Sequence, residues 1–158
     1  MRLSRRNPLL RAAAMMMLTV GLILSPAANV LAAEDTVVET VPGPFDKVVT
    51  NLKRAITGQK LVIVKVVPFQ QMLAMVGLKT EQMKSFEIFH PRYGKRLYQT
   101  NPSAMKEAPL RILVREDGSD VTLEYRKPSA VFASYSGLEG LGEELDTVFA
   151  NIIAAVAK

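Results

Sequence analysis

The chain has 158 residues, one histidine, no cysteine and a formal net charge of +5. That length suits one domain, and the missing cysteine excludes disulfides, thiolate chemistry, cysteine-held zinc and a lipidated cysteine. The positive charge is local: beyond Ala33, 16 Lys and Arg face 15 Asp and Glu, a net +1, so the basic footprint of a nucleic-acid binder is not expected.

The first 33 residues have the order of a secretory signal. Arg2, Arg5, Arg6 and Arg11 form a basic head, Ala12 to Leu24 is uncharged and apolar, and SPAANVLAA follows with a break and small residues. Val30 and Ala32 suit cleavage before Ala33, and cleavage after it fits nearly as well. A retained membrane anchor is the rival reading, but Gly21, Pro26 and Asn29 interrupt the run. Arg5-Arg6 matches a folded-export signal yet lacks the aromatic residue that normally follows, so export unfolded is expected. The mature domain, residues 34–158, is then expected in the periplasm or the medium, with no membrane attachment after signal removal.

A short strand is expected over Thr36–Val41. GPFDKVVTNLKRAITGQK has helical spacing, with Phe45, Val48, Val49, Leu52 and Ile56 on one face and Gly58 placed as a left-handed cap. The continuous β-branched run Leu61–Val67 reads as a buried strand. Pro68 then opens a short helix closed by Gly77, with Met72, Leu73 and Val76 as its core face. MKSFEIFH alternates: Phe86, Ile88 and His90 share one side, and Ser85, Glu87 and Phe89 the other. PRYGKRLYQTNP reads as a helix weakened by Gly94. PLRILVREDGSDVTLEY is a hairpin whose tight turn is expected at Asp117-Gly118. RKPSAVFASYSG reads as a loop, and the last 21 residues as an amphipathic helix with Leu141, Leu145, Val148, Phe149, Ile152 and Ile153 inward. The sum is an α+β fold: a compact β-α-β(4)-α domain, its antiparallel sheet backed by helices on one side.

FDKVVTNLKRAITGQKLVIVKVV and EIFHPRYGKRLYQTNPSAMKEAPLRILVRED resemble the bacterial and archaeal family called domain of unknown function 302. Glu87, Ile88 and Pro91 match its first short motif, and Pro109, Arg111 and Val114 lie along the second. The resemblance covers roughly Thr36–Pro128 and extends loosely to the last helix. It implies the β-α-β(4)-α fold grouped with the TATA-box-binding protein, often a homodimer, and no established activity. Phe89 and Leu110 stand where relatives often carry cysteine, so no thiol or metal role of those positions carries over. His90 stands where they have asparagine, at a joint where asparagine would cap a helix opened by proline.

No catalytic signature is present: no His-Glu-x-x-His, phosphate loop, nucleophile elbow or spaced carboxylate cluster. Glu87, His90 and Arg92 are the candidate ligand-binding residues, at the joint between the third strand and its helix, where Arg92, Lys95, Arg96 and a helix N-terminus suit a small anionic ligand. The expected function is an exported, non-catalytic binding or accessory domain working as a homodimer, with no cofactor. Two other classes stand beside it. Soft-metal handling would use Met72, Met75 and His90 as Cu(I) ligands, and an enzyme of unrecognised type would set His90 beside Glu87 and a Ser or Tyr hydroxyl.

Overall fold

The computed structural model describes residues 35–158, so the expected signal segment lies outside the described residues. Five strands form one antiparallel sheet: β1 (Thr36–Pro42), β2 (Val62–Val67), β3 (Met83–Phe89), β4 (Leu110–Asp117) and β5 (Asp120–Arg126), in the order β1-β5-β4-β3-β2. The helices are α1 (Phe45–Gly58), α2 (Phe69–Ala74), α3 (Pro91–Thr100), α4 (Pro128–Phe132) and α5 (Glu139–Val156), with a 3₁₀ turn over Pro102–Glu107.

The predicted apolar stripe of α1 is the buried set of that helix, residue for residue: Phe45, Val48, Val49, Leu52 and Ile56. These side chains meet Phe86 and Ile88 of β3, Ile112 and Val114 of β4, and Val121, Leu123 and Tyr125 of β5. The C-terminal half of α5 completes this first cluster with Phe149, Ile152, Ile153 and Val156. Its N-terminal half, through Leu141 and Leu145, belongs to a second and smaller cluster with Leu97, Ala104, Phe132, Tyr135 and Leu138. One helix thus joins two apolar bodies, and Tyr93 and Leu110 pack against both.

Several expectations need correction. Leu61–Val67 is not a buried strand: β2 pairs only with β3, and Val62 and Val64 are exposed on the sheet edge. A continuous β-branched run signals burial only when both faces are covered, and here a bulge between Ile63 and Lys65 breaks the alternation. Gly58 ends α1 within the helix, and the left-handed position falls instead on Lys60, at φ 61. In the hairpin, Asp117 pairs with Asp120, so the loop is Gly118-Ser119, with Gly118 at φ 65 as its first residue. That placement of glycine is the type II′ requirement.

α2 forms where Pro68 and Gly77 place it. Gly77 adopts φ 84, and the Leu78 N–H returns to the Leu73 carbonyl at 3.1 Å. Yet none of its residues is buried, and Met72 and Val76 are exposed instead of packing into the core. Within the expected loop 126–137, Pro128–Phe132 is helical, with Pro128 and Phe132 buried. Asp146 of α5 organises it from a distance, accepting the Ser129 N–H at 2.9 Å and the Ser129 hydroxyl at 2.5 Å. Gly142 permits the contact, because a Cβ there would lie 2.6 Å from Ser129 Cα.

Candidate functional site

His90 ends β3 and caps α3. Its backbone is extended, with φ −140, and its Nδ1 accepts the Arg92 N–H at 3.0 Å while Pro91 fills the first helical position. The imidazole therefore does the capping work that an asparagine would do at this joint. An accepting Nδ1 places the neutral ring's proton on Nε2, which is left as a donor. The Tyr93 ring stands edge-on to it, with centroids 5.4 Å apart.

These two rings sit on the rim of an apolar cavity of about 30 Å³ at the seam between the two clusters. Leu61, Ile88 and Phe149 come to it from the first cluster, and Leu97, Phe132, Leu141 and Leu145 from the second. Phe89 closes one side by lying against α3: a Cβ on Gly94 would fall 2.3 Å from the end of its ring. Gly94, a weakness by helix propensity, is thus a packing residue. Among the described residues no buried side-chain nitrogen or oxygen lacks a partner, so no orphaned polar group points into the cavity. A lining this apolar offers a water no partners, and about 30 Å³ has room for a methyl-sized group and not for a ring.

Charge gathers just outside. Arg92 is exposed, and Arg96 reaches across to α5 to bond Glu144 at 2.5 Å. That guanidinium holds the Glu144 carboxyl below its ordinary range. Burial, then the Glu144 carboxylate, pushes the Tyr93 phenol up, which keeps it protonated.

Of the three residues singled out in the sequence, the structure brings two together. His90 and Arg92 share the α3 cap. Glu87 lies on the other face of the sheet, paired in register with Lys65 and Arg111, its Oε1 4.0 Å from Arg111 Nε. Strand alternation separates them: Phe86 and Ile88 face the helices, so Glu87 cannot. The His90–Glu87–hydroxyl arrangement sought for an enzyme is not assembled, although Tyr93 supplies a hydroxyl-bearing ring beside His90. The methionines of the soft-metal reading are also apart from it. α2 leaves the sheet beside Val67, the partner of Ser85, whereas His90 follows Phe89, four residues further and roughly 13 Å along the strand at about 3.3 Å per residue. Among the described residues no cluster of three His, Asp or Glu is arranged to hold a metal ion.

Sequence reasoning missed the cavity, because its walls come from five elements, β3, α3, β4, α4 and α5, and from the connecting residues Leu61 and Ala108. The one local signal was Tyr93, three residues beyond His90 and so on the same side of the α3 start.

The family described as Domain of unknown function DUF302 matches residues 37–158. The chain belongs to that family. The match extends past the short motifs to the whole of α5, the helix that joins the two clusters. Among solved structures, the crystal structure of a conserved DUF302 protein from Bacillus stearothermophilus is similar at TM-score 0.73 and 13% identity, over 77% of this chain and 98% of that one. At that identity the likeness is one of fold. A search of curated proteins finds no match.

Proposed function

We propose that this DUF302 domain is an exported, non-catalytic binding domain that works as a homodimer and takes a small ligand with an apolar body and an anionic end. The observation that carries this reading is the seam cavity with His90 and Tyr93 on its rim. The cavity accepts the apolar part. The Nε2–H of His90, the Arg92 guanidinium and the positive end of the ten-residue α3 favour the anion. Glu87 has no direct part in this binding; with Arg111 it belongs to the outer sheet face. Export rests on the pattern of residues 1–33.

Acetate is a suitable probe, with a methyl group for a cavity of about 30 Å³ and a carboxylate for the rim. Millimolar acetate raises the melting temperature of the wild type, and His90→Asn, which retains a capping oxygen, removes most of that rise. Equal rises in both proteins would take His90 out of the site. No rise in either would remove the proposed ligand class.

A further inference from the structure

The exposed apolar surface of this domain is concentrated in one place. Of nine large hydrophobic residues exposed among the described residues, seven lie between Val62 and Leu78, along the sheet edge and over the helix that continues it. Met75 and Val76 are 86% and 80% exposed. This is not a frayed segment: the α2 backbone is closed by the Gly77 N–H to Ala74 at 3.0 Å and the Leu78 N–H to Leu73 at 3.1 Å. A six-residue helix that buries none of its residues is held in place to display them.

We infer that this β2–α2 surface is the contact between two copies of the chain, an assignment that rests on the homodimer reading above and gives it a location. Seven apolar side chains, each 36 to 86% exposed, offer an area comparable with the about 800 Å² that each partner gives to a standard interface. Exposed apolar patches of this size on a small domain mark interaction sites. The contact is made through side chains, not by joining the sheets, because Lys65 and the bulge beside it blunt the β2 edge against strand addition. A twofold axis through α2 sets Met72, Met75 and Val76 against their own copies. The other edge strand, β1, exposes only Val38 among its large apolar residues.

The test is size-exclusion chromatography with light scattering on the protein recovered from cells, at micromolar concentration. The wild type is a dimer, Val76→Asp is a monomer with unchanged circular dichroism, and Val38→Asp, 58% exposed on the other edge, remains a dimer. A dimeric Val76→Asp overturns the surface while leaving the homodimer standing. A monomeric wild type overturns both, and one that also sediments with vesicles of anionic lipid assigns the surface to a membrane instead.

Discussion

Asp146 and Ser129 are bound twice, through the Ser129 N–H and the Ser129 hydroxyl, across a gap of 17 residues. This contact fastens α4 to α5 and so fixes Phe132, which lines the seam cavity together with Leu141 and Leu145. Replacing Asp146 by alanine leaves a half-buried N–H and hydroxyl without partners. The expected loss is about 1–3 kcal/mol, read as a lower urea midpoint, whereas Asp146→Asn, which retains an acceptor, loses less than half of it.

Gly142 tests the same junction by steric means. A methyl group there meets the Ser129 backbone, which cannot swing aside as a long side chain would. Gly142→Ala is expected to destabilise by about 1–3 kcal/mol, although alanine is the better helix former by roughly 1 kcal/mol. A stabilised variant would show that α4 is free to move.

The proposed function gives His90 a second role beside its capping of α3. His90→Ala deletes the α3 cap and is expected to lose about 0.5–2 kcal/mol. His90→Asn supplies a capping oxygen in place of Nδ1 and returns to near wild-type stability without regaining ligand affinity. Thermal melts of the three proteins, with and without acetate, separate cap from site. Full ligand response in the asparagine variant contradicts the account.

The Arg96–Glu144 pair gives a pH dependence of known sign. The folded-state pKa of Glu144 lies below its ordinary value, so the pair's stabilisation is present above the ordinary carboxylate range and is lost as pH falls through and below it. Both side chains are about half exposed, so the contribution is small, about 0.2–1 kcal/mol. Urea titrations at neutral and acidic pH should show Glu144→Gln losing less stability on acidification than the wild type. Identical slopes contradict the pair.

Much of the fold is legible in the residues because its signals are local. Phe45, Val48, Val49, Leu52 and Ile56 repeat at helical spacing, and Leu110, Ile112 and Val114 alternate opposite Val121, Leu123 and Tyr125, so the helix, the hairpin and the core side of each follow directly. What fails is set by distant partners. The helix at Pro128 depends on Asp146, 18 residues away, and the exposure of Val62 and Val64 depends on β2 lying at the end of the strand order. Phe69–Ala74 reads as a core helix because spacing reports which residues share a face, not what lies against it. The site divides in the same way. His90 and Arg92 are neighbours in sequence and remain neighbours in space, while Glu87 parts from them by the alternation of a strand and the cavity walls converge only in the fold.

The central claim is that the seam cavity is a place for a ligand and not a gap left by imperfect packing. The most direct measurement is native mass spectrometry of the protein recovered from the cell envelope without added metal or chelator, compared with Leu145→Phe, whose larger ring occupies the cavity. The account predicts an added mass on the wild type that is absent from the variant, with the variant at least as stable. A bare wild type whose melting temperature also ignores acetate would contradict it, and His90 would then be only the residue that starts α3.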